Sequence, residues 1–376
     1  MTSPGRNRSL SPRWVVAGLL VLGLIAAAWF YRSQMSIPAA RAEPPTAATE
    51  GPTASGATRP SAPAAKLVVD RSAGDVSTRP RNPLDALRAF RYLEQICAIG
   101  PRPSGSPGMK KQQEAVQQHF EQLGGKVSLQ KFHARNPLGG ENVSLANVIV
   151  EWHPDRQERV LLCAHYDTRP LPDRDPNPEQ RRSGVFIGAN DGASGVAVLM
   201  ELAHLMPQLD SDVGVDFALF DGEELVYVDG RDPYFLGSTW FARQYVRQPP
   251  QHNYRWGVLL DMVGDRDLQV YQEQHSVSWR DTRPLVKEIW ATAARLGVDE
   301  FIPRARYQVQ DDHLPLRNIG KIPTCDVIGF VDAFGQVPPG YWHTTFDTPK
   351  QCSPASLAKV GWVVYEWLKT QKSKQR

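Results

Sequence analysis

Cysteine is scarce in this sequence: its 376 residues include four, Cys97, Cys163, Cys325 and Cys352. No two of them form a Cys-x-x-Cys pair or another spacing typical of zinc binding, which excludes a zinc-finger or zinc-ribbon site. Cys163 lies in the apolar run VLLCAHYD, so we predict that it is a buried small hydrophobic residue. The spacing does not show how the cysteines could pair in disulfides.

A basic surface is missing from most of the chain. The net charge is +3, but residues 1–82 contain ten Lys and Arg residues against four Asp and Glu residues, a balance of +6. The remaining residues, 83–376, therefore have a net charge of −3. A domain with this balance is not predicted to bind nucleic acid.

Long apolar runs are absent except near the N-terminus, where the eighteen residues 14–31 (WVVAGLLVLGLIAAAWFY) contain no charge. A run of this length approaches the minimum for a membrane span, and the arginines before it favour a cytoplasmic N-terminus. A cleaved signal peptide is the alternative, with the tripeptides AAA (26–28) and ARA (40–42) as cleavage sites. Because the run exceeds the usual signal-peptide core of about 7–15 residues, we favour an uncleaved membrane anchor within residues 1–35.

The segment after the apolar run is rich in alanine and proline. Residues 37–66 contain ten Ala and six Pro, with few large apolar side chains. Such a segment buries too little surface to offset the entropy lost on ordering, so we predict a disordered linker over residues 36–81 and one folded domain over residues 82–376. Both N-terminal interpretations predict that this domain is exported to the periplasm or the extracellular space. It is either held at the membrane by the N-terminal segment or secreted after cleavage.

Hydrophobic periodicity predicts that helices and strands alternate along the folded domain. Helices are predicted at 84–98, 109–123, 193–206, 238–247, 282–296 and 354–369, and strands at 126–133, 145–152, 159–164, 213–220, 256–263, 268–272 and 323–330. This order predicts a three-layer α/β/α sandwich with a central mixed, largely parallel sheet. In such sheets, ligands bind where the strands end at their carboxyl ends.

Acidic and histidine side chains follow several of these predicted strands or lie in neighbouring loops. Those that could face one cleft are His165, Asp191, Glu223, Glu224, Asp261, Asp311 and His343. Carboxylates gathered at one edge of a sheet repel one another, so a bound cation is their natural compensation. Histidine and carboxylate ligands without cysteine are typical of a catalytic zinc ion with an open coordination position.

We make separate predictions for Asp191 and for the pair Glu223-Glu224. Asp191 precedes the helix predicted at 193–206, where aspartate is a favoured N-cap, and we expect it to cap that helix while its carboxylate faces the metal. In the pair Glu223-Glu224, one carboxylate can bind the metal while the other transfers protons. Neighbouring negative charges would raise the pKa of that second carboxylate, and the metal would lower it.

Seven motifs carry a resemblance to a known family: HYDTRP, GANDGASGVAVLMELA, FDGEE, FLGS, LLDMVG, QDDHLP and WHTTFDTP. In wording and order, over about residues 85–370, they resemble the zinc-dependent exopeptidases of peptidase family M28, and within it the glutaminyl-peptide cyclotransferases. The resemblance implies that Asp191, Glu224 and His343 bind a single zinc ion and that Glu223 is the proton shuttle.

The resemblance also implies roles for residues around the metal. Asp261 and Asp311 would form a hydrogen-bonded acidic network beside the proton shuttle, Trp342 would form a wall of the substrate pocket, and Gln310 would contact substrate. In the two-zinc aminopeptidases of the same family, His165 and Asp261 would instead bind a second metal. Because both residues are present here, the ligand inventory does not separate one zinc ion from two.

Three features favour the cyclotransferases. The segment QDDH (310–313) has the residues that the cyclotransferases have at this motif. Trp342 directly before His343 suits a small apolar pocket for a glutamine side chain. Segment 167–195 resembles the long loop of bacterial cyclases. Two features weigh against them. The stretch LVYVDGRDPYFLGS (225–238) lacks the tryptophan of animal cyclases, and GANDGASGVA (188–197) is shared with aminopeptidases.

The resemblance therefore implies an enzyme that converts the N-terminal glutamine of peptides or proteins to pyroglutamate and releases ammonia. A zinc aminopeptidase of the same family is the alternative. A non-catalytic surface-binding domain is the third possibility, but such a domain would not need Glu223.

Overall fold

The computed structural model describes residues 80–331, 336, 338 and 340–372, all of which belong to one compact unit. The predicted anchor or signal sequence lies outside the described residues, as does the predicted linker apart from its last two residues. No helix in the described part of the chain is long and apolar enough to span a membrane.

The described residues include nine α-helices and eight strands. The helices are α1 Ala86–Ala98, α2 Pro107–Gln122, α3 Pro178–Ser183, α4 Ser194–Leu202, α5 Leu236–Arg247, α6 Gln274–Ser278, α7 Arg283–Leu296, α8 His313–Asn318 and α9 Pro354–Leu368. The strands are β1 Lys126–Ala134, β2 Val143–Trp152, β3 Glu158–His165, β4 Gly214–Phe220, β5 Asn253–Asp261, β6 Val270–Gln272, β7 Phe301–Ala305 and β8 Thr324–Ile328. Two short 3₁₀ helices lie at Met206–Gln208 and Pro349–Gln351.

Six strands form the central sheet in the order β1-β2-β4-β3-β5-β8. Strands β4, β3, β5 and β8 are parallel to one another, whereas β2 pairs antiparallel with both β1 and β4. Strands β6 and β7 form a separate two-stranded parallel sheet. The predicted mixed, largely parallel sheet is therefore confirmed.

Strand β3 shows how the sheet separates two layers of helices. Val160, Leu162 and Ala164 belong to the apolar cluster that includes α1, α4 and α9, whereas Leu161 and Cys163 belong to the cluster on the opposite face. Successive side chains of a strand point to opposite faces, and these five residues are fully buried. A continuous apolar run is what a strand covered on both faces requires, and the three-layer α/β/α sandwich is confirmed.

The cap prediction for Asp191 is wrong. Helix α4 begins at Ser194 with Ala193 as its N-cap, and no side chain makes a capping hydrogen bond there. Gly192 adopts φ of +98°, which places a tight turn between Asp191 and the helix. A Cβ atom at Gly192 would lie 2.6 Å from the carbonyl oxygen of Asp167, so this turn requires glycine.

Several elements were not predicted from the periodicity. Strand β7 contains Pro303 and only its first residue, Phe301, is buried, so it has no alternating pattern. Helices α3, α6 and α8 have five or six residues each, too few to show a helical repeat. All four cysteines are unpaired and buried, which confirms the prediction for Cys163.

Candidate metal centre and active site

The central strands place the predicted site residues at one edge of the sheet. Strand β3 ends at His165 and β5 ends at Asp261, while Glu223 and Glu224 lie a few residues after the end of β4. Since these strands are parallel, their carboxyl ends meet at the same edge. The turn before α4 and the loop before α9 complete the site; its buried side chains are His165, Asp191, Glu223, Glu224, Asp261, Asp311 and His343.

The three residues predicted to bind one zinc ion lie together. Nε2 of His343 lies 2.8 Å from Oε1 of Glu224 and 3.4 Å from Oδ2 of Asp191. Ligand atoms on a tetrahedral zinc with bonds of about 2.0–2.2 Å are roughly 3.3–3.6 Å apart. Oδ2 of Asp191 is buried and has no hydrogen-bond partner in the described part of the protein. A cation is the partner that such an oxygen lacks.

A second set of ligand atoms adjoins the first. Nε2 of His165 lies 3.1 Å from Oδ1 of Asp191 and 3.3 Å from Oδ1 of Asp261. The two carboxylate oxygens of Asp191 thus face two different histidines. His165, Asp191 and Glu224 also offer ligand atoms that all lie within 4.8 Å of one another. The residues fit zinc in type and spacing, and the arrangement accommodates either one ion or two.

The charges around His343 also fit a cation. Burial lowers the pKa of its imidazole, but the negative charges of Glu224, Asp173 and Asp191 outweigh burial and raise that pKa to about 10. A histidine must be neutral to bind a metal, and the metal then replaces the imidazole proton as the positive charge. The same carboxylates that attract a proton would therefore attract zinc.

Two buried aspartates hold the backbone of the metal-binding segments. Asp167 accepts hydrogen bonds from the N–H groups of Glu223 (3.1 Å) and Glu224 (3.0 Å). Asp347 accepts hydrogen bonds from the N–H groups of Asn190 (2.8 Å) and Asp191 (3.1 Å). Neither role could be predicted from the sequence, because a side chain that binds a distant N–H group leaves no recognisable spacing.

The loop between β3 and α3 contacts two of the predicted ligands, Glu224 and His343, from the side away from the metal. Asp173 accepts two hydrogen bonds of 2.9 Å from the guanidinium of Arg169, and its Oδ1 lies 3.3 Å from Nδ1 of His343. The backbone N–H of Arg169 donates to Oε2 of Glu224 at 3.1 Å, and its Nη1 lies 3.4 Å from Oε1. Such outer contacts fix the orientation of metal ligands. Both residues were missed as site residues, although Arg169 lies in the motif HYDTRP.

Glu223 is placed to carry a proton beside the ligands. Its side chain is buried, and Oε2 lies 3.9 Å from Nδ1 of His165. Burial and the charge of Glu224 raise the pKa of Glu223 well above its ordinary value, while His165 opposes the rise. Burial and the charge of Asp261 raise the pKa of Asp311 in the same way. Raised pKa values of buried carboxyl groups in a cleft are typical of sites that transfer protons.

The two predicted substrate-binding residues differ in exposure. The ring centroid of Trp342 lies 3.8 Å from that of His343 and 5.5 Å from that of Phe330, and the indole is half-buried. Trp342 is thus positioned to form a wall beside the metal ligands. Gln310 is exposed directly before Asp311, and its contact with substrate stays a prediction.

Two residues of the site have strained backbones. His343 adopts φ of +55°, and Met262, directly after Asp261, adopts φ of +49°. For residues other than glycine this left-handed conformation costs about 1–3 kcal/mol and is typically retained where function requires it. At His343 this conformation directs the side chain into the cleft. At Met262 it ends β5 beside the cleft.

An α/β/α sandwich that gathers histidine and carboxylate side chains at the carboxyl ends of its parallel strands has the fold and the donor set of the zinc exopeptidase-like enzymes. The profile of peptidase family M28 matches residues 147–368, more than half of the chain. The chain therefore belongs to peptidase family M28.

Similar proteins of known structure or name include glutaminyl cyclases and a Zn-dependent exopeptidase. The crystal structure of Fimbriiglobus ruber glutaminyl cyclase is 39% identical in sequence, with a TM-score of 0.72, and the match covers 77% of this chain and 96% of that chain. A Zn-dependent exopeptidase from Parabacteroides distasonis is 30% identical with a TM-score of 0.70, covering 77% and 100%. The glutaminyl-peptide cyclotransferase of Drosophila melanogaster is 26% identical over 304 residues, covering 74% of this chain and 79% of the relative.

Proposed function

We propose that this protein is a zinc-dependent glutaminyl-peptide cyclotransferase, which converts the N-terminal glutamine of peptides or proteins to pyroglutamate and releases ammonia. The observation that carries the proposal is the 39% identity to the Fimbriiglobus ruber glutaminyl cyclase across 96% of that chain. The buried carboxyl group of Glu223 beside the predicted ligand Glu224 supports it, because cyclisation requires a proton carrier at the metal.

Asp191, Glu224 and His343 would hold the zinc ion, with the pair His165 and Asp261 beside them. When bound, zinc supplies a Lewis acid that polarises the side-chain amide carbonyl of the substrate glutamine. Arg169 and Asp173 keep Glu224 and His343 in the orientation that binding requires.

Glu223 performs the proton transfers. Its carboxylate accepts a proton from the α-amine of the substrate as the amine nitrogen attacks the side-chain amide carbon and closes a five-membered lactam. Glu223 then donates that proton to the departing nitrogen, so ammonia leaves and the carboxylate is regenerated. Both reacting groups belong to one residue, and holding them in contact supplies much of the rate through proximity.

The neighbouring groups set the conditions for these transfers. Burial and the charge of Asp261 raise the pKa of Asp311, and we assign this carboxyl group to the acidic network beside Glu223. Trp342 covers one side of the cleft and excludes water, which would otherwise compete with the amine. Gln310, at the exposed edge, contacts the peptide that extends from the cleft.

We propose one zinc ion per chain. Lactam closure uses an amine that the substrate itself provides and needs no attacking water, so a second metal adds nothing to it. Nε2 of His165 lies 3.3 Å from Oδ1 of Asp261 in the structure, and binding of one zinc ion by the other three residues would not require this contact to break. The aminopeptidase alternative rests on the same contacts, because the second ligand set and the similarity to a Zn-dependent exopeptidase also fit hydrolysis. In that reaction Glu223 would deprotonate the attacking water.

The test is a product analysis by mass spectrometry. Purified protein is incubated with a peptide that begins with glutamine, and with the same peptide acetylated at its amine as the control. Loss of one ammonia, seen only with the free amine, supports the cyclase. Loss of a whole residue supports the aminopeptidase, and an unchanged peptide in the presence of added zinc supports the non-catalytic alternative.

We also propose that residues 1–35 anchor the protein in a membrane, that residues 36–81 form a linker, and that residues 82–376 act outside the cytoplasm. The uncharged run at 14–31 supports the anchor. Carbonate extraction of membranes and protease treatment of intact cells test this. Release into the soluble fraction with a new N-terminus near residue 28 or 42 would instead identify a cleaved signal peptide.

A further inference from the structure

The loop that carries Asp173 also fixes an arginine at the edge of the cleft. Asp175 accepts hydrogen bonds from the backbone N–H of Thr345 (2.9 Å) and from its hydroxyl (2.6 Å). Between the two aspartates, the N–H of Arg174 donates to the carbonyl oxygen of His343 at 3.1 Å. The backbone around Arg174 is therefore held on both sides.

The side chain of Arg174 lies on the wall of the predicted substrate pocket. Its guanidinium carbon lies 4.3 Å from the centre of the Trp342 ring, within the range of a cation–π contact. Trp342 in turn packs on the predicted zinc ligand His343. The indole of Trp342 therefore separates the guanidinium of Arg174 from the imidazole of His343, at the mouth of the cleft.

Within the described part of the chain, no side chain accepts a hydrogen bond from the guanidinium of Arg174. Arg174 is exposed, and the carboxylates next to it in sequence are engaged elsewhere, Asp173 with Arg169 and Asp175 with Thr345. A guanidinium that stacks on a ring uses its flat face, so its N–H groups still point outward in the plane. Those N–H groups match a carboxylate in a paired, bidentate geometry.

We infer that Arg174 is a specificity-determining residue, which binds a carboxylate on the substrate just after the N-terminal glutamine. The inference rests on the proposed function. The glutamine amine and side chain must enter the cleft past Trp342, so the rest of the peptide leaves over the rim where Arg174 lies. The second residue of the peptide lies about 3.3–3.6 Å along the chain from the glutamine, and its side chain extends the distance that it can span. The substrate class is therefore peptides that begin with glutamine followed by an acidic group.

The carboxylate has two possible sources, which matched peptides distinguish. Gln-Glu-Ala-amide and Gln-Gln-Ala-amide differ in a side-chain carboxylate at the second position. Gln-Ala and Gln-Ala-amide differ in a C-terminal carboxylate only. We expect the wild-type protein to have a kcat/KM about 3–10-fold higher for the acidic member of a pair, mainly through KM, as for a partly exposed ion pair. Salt should reduce this ratio.

Three variants test the inference. In Arg174→Gln the acidic preference should disappear, and in Arg174→Glu it should reverse toward Gln-Lys-Ala-amide. Arg174→Lys should keep part of the preference, since lysine retains the charge but not the paired donors. Arg181→Gln is the matched control: it removes an exposed arginine of α3 and should leave the ratio unchanged.

The outcomes are distinct. An unchanged ratio in Arg174→Gln overturns the inference. So does an equal loss of kcat/KM for all four peptides with the ratio intact, because Arg174 would then only support Trp342. A wild-type protein that cyclises no glutamine peptide overturns both the proposed function and this inference. A wild-type protein that shows no acidic preference in either pair overturns the inference alone, whereas a preference in only one pair identifies the source of the carboxylate.

Discussion

Asp173 contacts the imidazole of His343 on the side that faces away from the other predicted metal ligands. Its Oδ1 lies 3.3 Å from Nδ1, while Nε2 on the opposite side of the ring lies 2.8 Å from Glu224. A carboxylate in this position fixes the ring orientation and makes the histidine a stronger ligand.

We therefore expect Asp173→Asn to weaken zinc binding about 10–100-fold, the usual effect of losing such a contact. Competition against a chelator of known affinity measures the change. Glu179→Gln, which alters an exposed carboxylate in the same segment, is the control and should bind zinc like the wild type. Equal affinities in all three proteins would contradict the role of Asp173.

Glu223→Gln tests the proton carrier. The amide keeps the shape of the side chain but cannot accept and return a proton, so turnover should fall about 10²–10⁴-fold. Zinc content should stay at the wild-type level, because Glu223 is not a predicted ligand. A variant with near-normal turnover would remove Glu223 from the mechanism.

His165→Ala separates the two enzyme branches by metal count. For a cyclase with one zinc ion, we expect the variant to retain that ion and much of its activity, since Asp191, Glu224 and His343 are intact. Elemental analysis of both proteins, alongside rates with a glutamine peptide, provides the measurement. Two zinc ions in the wild type, falling to one with loss of activity in the variant, would favour the aminopeptidase.

Glu273 gives a prediction about pH that is independent of the metal. It accepts hydrogen bonds from the N–H groups of His275 (2.8 Å) and Ser276 (2.7 Å), and its Oε2 lies 3.5 Å from Nε2 of His313. Burial raises the pKa of Glu273, but His313 and these N–H groups outweigh burial and lower it from 4.5 to about 2. Because the pKa is lower in the folded state, the stabilisation is complete above pH 4.5 and is lost as the pH falls toward 2.

Glu273→Gln should accordingly lower the free energy of unfolding near neutral pH by about 3 kcal/mol, at about 1.4 kcal/mol per pKa unit. The difference from the wild type should shrink as the pH falls from about 5 to about 2. Urea denaturation of both proteins across this range measures it. A difference that stays constant with pH would show that the charge of Glu273 does not provide the stabilisation.

The sequence could indicate which side chains lie together at the site, because most of them lie next to an element with a clear pattern. Asp261 ends an apolar strand, and Glu224 follows another at a short distance. His165 is itself the last residue of β3. The alternation of strands and helices then implied that these ends meet.

The supporting residues could not be predicted, because they act across long separations or through the backbone. Asp173 is 170 residues from His343, and no local repeat connects them. The side chain of Asp347 accepts hydrogen bonds from the backbone N–H groups of Asn190 and Asp191, which any residue except proline could provide. The expected cap at Asp191 failed because Gly192 inserts a turn whose left-handed conformation a propensity argument does not consider.

In the loop at 173–175, the half-buried Asp173 contacts the predicted ligand His343, Arg174 is exposed and Asp175 is buried. This arrangement makes position 174 tolerant of substitution, whereas the contacts of Asp173 and Asp175 depend on the length of the loop. A new side chain at 174 can alter which peptides are accepted while the metal centre stays intact. Deleting or inserting one residue would exchange the inward and outward positions and direct a cation toward His343. Among related chains that share this loop, substrate preference is therefore free to diverge at 174 only while the spacing between its two aspartates is preserved.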